Sequence, residues 1–214
     1  MTFLEGKLPP GRGSKMALYP KHLEELINLF KKFPTVGQRS AERFSSYLLK
    51  SSPEEINALA EAILNLRKIK FCSICYNITE TQPCEICSDG RRDRGTICVV
   101  EEHSDFIALE KTEYNGLYHI LGGRISPLEG VGPDDLKIEE LMERIKKNQP
   151  REIIIATNTD TEGETTALYL SELIKPLNVS HSRIAYGLSA GSNIANVDQL
   201  TLRRAMEGRK RLYP

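Results

Sequence analysis

The sequence predicts an α+β multidomain protein, with a helical N-terminal region, a four-cysteine knuckle, an α/β region built on a mostly parallel sheet, and a short C-terminal helical segment. Three observations carry this prediction. Apolar residues recur at helical spacing through residues 20–69, and two Cys-x2-Cys pairs follow close together. From residue 96 onward, short β-branched runs alternate with helical ones, the pattern of right-handed crossovers between parallel strands. A chain of 214 residues has room for one or two domains.

Residues 1–15 hold two prolines and three glycines with no periodicity; they read as a flexible tail, with Met16 as an alternative start, and contribute nothing to the fold prediction. Leu23, Leu26, Ile27 and Phe30 make the first helical stripe, which breaks at Phe33-Pro34-Thr35-Val36-Gly37. A second helical run sets Ala41, Phe44, Leu48 and Leu49 on one side. Ser52-Pro53-Glu54-Glu55 is a helix start, with Ser to cap, Pro at the first helical position and Glu three residues after the cap. Ile56, Leu59, Ile63, Leu66 and Ile69 then form one apolar stripe. Strands are expected at Thr96–Val100, Tyr118–Leu121, Glu152–Ala156 and Ser182–Tyr186, and helices at Asp105–Thr112, Leu136–Lys147 and Thr165–Ile174, with a Gly/Pro-rich loop over residues 122–135. The domain boundaries expected are 1–15 for the tail, 16–70, 71–95, 96–190 and 191–214.

Hydrophobic residues at 40% and charged residues at 27% are an ordinary globular mix and exclude disordered and fibrous classes. No apolar stretch approaches the ~18–20 residues of a membrane span, and the N-terminus lacks the apolar core of a signal peptide, so no membrane partner and a cytoplasmic location are expected. Lys and Arg total 29 and so do Asp and Glu, but residues 1–98 carry +4 and residues 99–214 carry −4. A basic half joined to an acidic half suggests two kinds of partner.

Cys72, Cys75, Cys84 and Cys87 form two Cys-x2-Cys pairs eight residues apart. Four thiolates in this spacing suit tetrahedral zinc and leave no position for a catalytic water, so the metal expected is structural. Four buried or redox-active thiols are the competing reading. Cys98 falls in an apolar run and reads as core. The break Phe33–Gly37 between two helical runs has the form of a helix-hairpin-helix, whose turn and second helix would present N–H groups to a DNA phosphate. Lys31, Lys32, Arg39 and Arg43 surround it, and a plain helical hairpin with solvated charges is the alternative. Glu101 follows one expected strand, and Asp160 and Glu162 follow another. Acids at the carboxyl ends of parallel strands converge on the usual ligand crevice, where Mg²⁺ is possible; a role for Glu162 or Glu164 in merely capping the following helix is the alternative. No phosphate-binding GxxxxGK[ST] loop is present, and His22, His103, His119 and His181 have no ligand spacing. The C-terminal run from Arg203 to Arg211 reads as a helix end rich in cations or as a further phosphate contact.

Taken in order, a helix-hairpin-helix, a four-cysteine zinc knuckle, a Toprim-like α/β domain and a C-terminal helix resemble the RecR family of bacterial recombination mediators. The resemblance runs from about residue 18 to 212 and rests on Val99–Glu102, on Gly116–Pro127, and on Ala156-Thr157-Asn158 leading to Glu162-Gly163-Glu164. It implies a non-enzymatic DNA-binding clamp of recombinational repair, assembled as a ring-shaped oligomer, a tetramer built from dimers, that works with RecO and RecF to load RecA on strands coated by single-strand-binding protein. Carried over residue by residue, it implies zinc on Cys72, Cys75, Cys84 and Cys87, DNA contacts from Arg39 and Arg43, and Toprim acids at Glu101, Asp160 and Glu162. Two departures stand out: Thr35 occupies the first hairpin position where many such motifs have Gly, and Asp160-x-Glu162 replaces Asp-x-Asp. Two other readings remain, a Mg²⁺-dependent Toprim nuclease and a DNA-independent adaptor that docks a basic partner on its acidic half.

Overall fold

The structure is a computed structural model that describes residues 18–185 and 187–209. The tail expected at 1–15, Tyr186 of the last expected strand, and Lys210 and Arg211 lie outside the described residues. The chain divides into two compact units, Met1–Leu66 and Arg67–Pro214.

In the first unit, α1 (Lys21–Phe30) and α2 (Gln38–Lys50) form a hairpin, followed by α3 (Pro53–Asn65). The buried residues of this hairpin are Ile27 of α1 and the small Ala41 and Ser45 of α2, which lie one turn apart on the same face. Phe30 meets Phe44 edge-on with ring centres 5.8 Å apart. Leu49, expected on the packed face, is exposed, because the stripe that continues Ala41 and Ser45 runs to the half-buried Leu48. In the turn, Thr35 takes φ 65°, the left-handed conformation that a glycine adopts without strain. The expected start of α3 is formed in full. Ser52 Oγ accepts from Glu55 N–H at 3.2 Å, Glu55 Oε2 accepts from Ser52 N–H at 3.0 Å, and Pro53 occupies the first position. The apolar stripe Ile56, Leu59, Ile63, Leu66 and Ile69 is exposed at all five positions, so its periodicity does not mark a face that its own unit buries.

The second unit opens with an antiparallel pair, β1 (Lys70–Phe71) and β2 (Ile78–Thr79), and the short α4 (Glu85–Ser88). Then follow β3 (Asp93–Val100), α5 (His103–Glu110), β4 (Gly116–Ile120), α6 (Ile138–Asn148), β5 (Glu152–Ile155), α7 (Thr161–Ile174), β6 (Ser180–Arg183) and α8 (Gln199–Glu207). The four long strands make one parallel sheet in the order β4-β3-β5-β6, with Ile97 in register with Leu117 and Ile153. Strand periodicity sorts the core into two layers. Ile97, Val99, Ile153 and Ile155 pack with Leu141 and Ile145 of α6 and Leu170 and Ile174 of α7, while Cys98, Val100, Tyr118 and Ile120 pack with Phe106 of α5.

Because the chain leaves β3 towards β4 and then returns across to β5, the strand order reverses between β3 and β5. In such sheets the crevice outside the carboxyl ends of the two strands at the reversal is the ligand side. Helix α7 starts at Thr161 rather than near Thr165, because Asp160 caps it, and α6 starts at Ile138, because the Lys137 N–H is drawn to the Leu121 carbonyl at 2.8 Å.

Edge strand β4 is not left bare. Its Ile120 N–H donates to the Cys75 carbonyl at 2.9 Å, and its Gly116 and Tyr118 carbonyls accept from Arg92 Nη1 (3.1 Å) and Arg144 Nη1 (2.6 Å). The knuckle and two arginines thus occupy groups that would otherwise template pairing with another chain.

Candidate functional site

The knuckle is organised by its own backbone. The Cys72 N–H donates to the Asn77 carbonyl at 2.7 Å, and the Tyr76 N–H returns to the Cys72 carbonyl at 3.0 Å, closing a tight loop in which Tyr76 takes φ 63°. Ile74 and Cys84 N–H groups donate to Cys72 Sγ at 3.5 and 3.4 Å. Asn77 Oδ1 and His103 Nδ1, 2.6 Å apart, tie the loop to α5. All four sulfurs are buried and lie within 4.8 Å of one another, with Cys75 and Cys84 Sγ 3.5 Å apart. In a tetrahedral site with Zn–S near 2.3 Å, sulfurs stand about 3.8 Å apart, so the donor set fits zinc with little rearrangement. Hydrogen bonds from the Cys75 and Cys87 thiols pull the Cys84 thiol down, and the Cys75 thiol is pushed up by the same contact with Cys84. Cys98 stands apart in the sheet, where burial pushes its thiol up to about 12.

At the crevice between β3 and β5, the acids are engaged with the protein itself. Glu101, 2% exposed, accepts at Oε1 from the Asn158 backbone N–H (2.8 Å) and at Oε2 from Asn158 Nδ2 (2.6 Å). Burial raises its carboxyl above the usual range, against those two hydrogen bonds. Asp160 Oδ1 accepts from the Gly163 N–H at 2.7 Å as the cap of α7, and its Oδ2 pairs with Arg124 Nη1 at 3.1 Å. Glu162 lies half-buried in the first turn of α7. The loop between β5 and α7 is held from behind by Arg183 of β6, which donates to the Ile155, Thr157 and Asn158 carbonyls and pairs with Glu164 at 2.7 Å.

Among the described residues, the four cysteines are the group of close metal-capable donors; Glu101, Asp160 and Glu162 do not form one, and a Mg²⁺ site is not supported. Asn158, Gly163, Arg124 and Arg183 are the crevice residues that sequence reasoning gave no role. Gly163 had a legible signal in its place between two glutamates. Arg124 lies 36 residues before its partner and had none.

Lys31, Lys32, Arg39 and Arg43 are all exposed around the hairpin turn. Arg39 and Arg43 share one face of α2, whose N-cap is Gly37, a residue with no side chain to occupy the first-turn N–H groups. The described part of the C-terminal basic run serves its own helix in part. Arg203 pairs with Glu207 at 3.0 Å, and Arg209 donates to the Met206 carbonyl at 3.0 Å.

A parallel sheet with acids at its point of reversal, joined to a four-cysteine knuckle, defines the class as a zinc-knuckle Toprim protein, and the Toprim domain family matches residues 95–185. The RecR helix-hairpin-helix matches residues 23–67, the RecR four-cysteine zinc finger domain residues 69–89 and the RecR C-terminal domain residues 187–210. The chain is 48% identical to the recombination protein RecR of Enterococcus faecalis, 47% identical to that of Chloroherpeton thalassium and 45% identical to that of Acidothermus cellulolyticus. Each match covers 91% of this chain and 99% of the relative. The chain belongs to the RecR family of recombination proteins.

Proposed function

We propose that this chain is a non-enzymatic DNA-binding clamp of recombinational repair that acts in the cytoplasm with RecO and RecF to load RecA on DNA coated by single-strand-binding protein. The observation that carries the reading is the presence in one chain of three RecR segments and a Toprim domain, at 45–48% identity over nearly the full length of its relatives. Within it, Lys31, Lys32, Arg39 and Arg43 contact phosphates without reading sequence, as expected of exposed cations around a hairpin turn. Cys72, Cys75, Cys84 and Cys87 hold one zinc ion, which supplies no chemistry and fixes the knuckle. The chain assembles as a ring-shaped tetramer built from dimers, and the apolar residues Ile56, Leu59 and Ile63 of α3, which their own unit leaves uncovered, support self-association.

The non-enzymatic part of the reading is supported by the engagement of the acids. Asp160 already caps α7 and pairs with Arg124, the buried Glu101 is bonded to Asn158, and among the described residues the acids form no close group of metal-capable donors such as a metal-dependent phosphoryl-transfer site requires. Asp160 and Glu162, the acids of this set that remain open to solvent, are assigned to recognition of a basic partner surface, and the buried Glu101 to holding Asn158 in place.

The test is direct. The double change Arg39→Ala/Arg43→Ala should weaken binding to all DNA sequences alike, and the unaltered protein should leave DNA uncut in Mg²⁺ or Mn²⁺. Unchanged affinity would move the DNA surface elsewhere, and metal-dependent cleavage lost in Glu101→Gln would establish a nuclease instead.

A further inference from the structure

Arg144 of α6 is 7% exposed, an unusual place for a guanidinium. Its Nη1 donates to the Tyr118 carbonyl on the free edge of β4 at 2.6 Å, two residues before the Ile120 N–H that donates to the Cys75 carbonyl. Its Nε and Nη2 are buried with no hydrogen-bond partner. Glu140, one turn earlier on the same helix, does not take them, since it pairs with Lys137 at 2.9 Å. The cleft in which Arg144 lies, about 280 Å³, is walled on one side by Ser73, Ile74 and Tyr76 of the first Cys-x2-Cys turn and on the other by Glu140, Glu143 and Arg144 of α6. A buried cation with two unpartnered nitrogens, in a cleft walled by the first Cys-x2-Cys turn, is costly by itself and becomes favourable when negative charge, such as that of thiolates on a metal, is held nearby.

We propose that Arg144 is the counter-ion of the zinc knuckle: it offsets the net −2 charge of a zinc ion held by four thiolates, directs its unpartnered N–H groups toward the sulfurs, and couples the knuckle to the edge of the sheet through its bond to Tyr118. The charges that act on this guanidinium against the effect of burial are those of Cys87, Cys75, Cys72 and Cys84, which fits the assignment. Four thiolates on Zn²⁺ leave a surplus of two negative charges in a site closed to water, and such a surplus is stable only with a cation or donors close by. The arginine acts on the metal through its ligands and is a positioning residue, of the kind whose loss weakens metal binding without changing the ligand set.

The inference rests on the zinc reading above, and the experiment separates the two. Full-length protein is purified with its metal, zinc is measured, and its transfer to a chromogenic chelator is titrated for the unaltered protein, Arg144→Gln and Arg144→Lys. The cobalt-exchanged forms are compared for their sulfur-to-cobalt charge-transfer band. Arg144→Gln should yield zinc at chelator concentrations about 10- to 100-fold lower, with the cobalt band moved to longer wavelength, because the sulfurs lose a stabilising positive charge. Arg144→Lys, which keeps the charge, should stay within a few fold of the unaltered protein. Equal zinc retention in Arg144→Gln, or an equal loss in Arg144→Lys, overturns the assignment. If Arg144→Gln does not fold, Arg144→Lys decides alone: retention with an unmoved cobalt band supports the counter-ion role, and loss of zinc in a folded protein defeats it. Absence of zinc from the unaltered protein would instead defeat the structural-zinc reading.

Discussion

Gly163 is helical yet cannot be replaced cheaply. An alanine Cβ there would stand 2.3 Å from the Asn158 carbonyl oxygen and 2.8 Å from Glu101 Oε1. Helix propensity favours alanine by about 1 kcal/mol, but a backbone oxygen at that distance has to move, and the loop that carries it is fastened by Arg183. Gly163→Ala is therefore expected to lower stability by about 1–3 kcal/mol, read as a fall of several degrees in the thermal midpoint; an unchanged midpoint would show that the loop yields. His119 presents a second buried cost. Its Nε2 meets the Lys137 carbonyl at 2.8 Å, its Nδ1 is buried without a partner, and burial pushes the imidazole down to about 4. The folded state thus refuses a proton that the unfolded chain accepts near pH 6.5, so this contribution is fully present above pH 6.5 and is lost as pH falls towards 4. His119→Gln should show a shallower loss of stability than the unaltered protein between pH 7 and 5 in denaturant titrations. Parallel curves would remove His119 as the cause.

Among the elements, the knuckle and β4 depend on each other. The Cys75 carbonyl receives the edge N–H of Ile120, and the T-shaped contact of Tyr76 with His119, ring centres 5.5 Å apart, adds a packed side chain. Structural zinc binding is folding free energy for a loop this short, since the segment has only two two-residue strands and one turn of helix of its own. Chelating the metal, or Cys84→Ser, should unfold residues 70–88 and speed amide exchange at Ile120 while the β3 and β5 amides stay protected. Uniform exchange across the sheet would mean that the knuckle instead supports the whole unit. On α7, the acidic turn serves as a cap first: Asp160 meets the Gly163 N–H, and the negative charges of Glu162 and Glu164 lie at the positive end of the helix.

At the scale of the whole molecule, a formal charge of zero conceals +4 and −4 halves, and the two halves are expected to respond to different experiments. Salt dependence of DNA binding counts the cations that displace counterions from phosphates, about 0.9 in logarithmic slope per contact. Arg39→Ala/Arg43→Ala should reduce that slope by up to about 2, whereas Glu162→Gln should leave it unchanged and keep affinity within about twofold. The same Glu162→Gln change should slow association with a basic partner protein, since rim charge acts mainly on the encounter rate. A reduced DNA slope in Glu162→Gln would mean that the acidic half shapes the DNA surface after all.

Local chemistry was enough for much of this protein. The Cys-x2-Cys pairs, the Ser52 capping box and the alternation of strand and helix after residue 96 act over a few residues, and the fold class and the closeness of the four thiols were legible from them. The order of motifs added the family. Contacts across long stretches of chain were not legible. No local pattern links Arg124 to Asp160, Asn158 to Glu101 or Arg144 to the knuckle, because each pair is brought together only by the strand order β4-β3-β5-β6 and the return crossover that sets β5 beside β3. Periodicity likewise gave α3 an apolar face but not its fate, since a stripe records which residues avoid water and not which surface covers them. The acids show the division most plainly: their positions after two strands and a capping role in the acidic turn were readable, but that Asp160 would also meet Arg124, 36 residues away, and that Glu101 would be buried against Asn158, was decided by packing in three dimensions, where a carboxylate removed from water, as Glu101 is, must find donors close at hand.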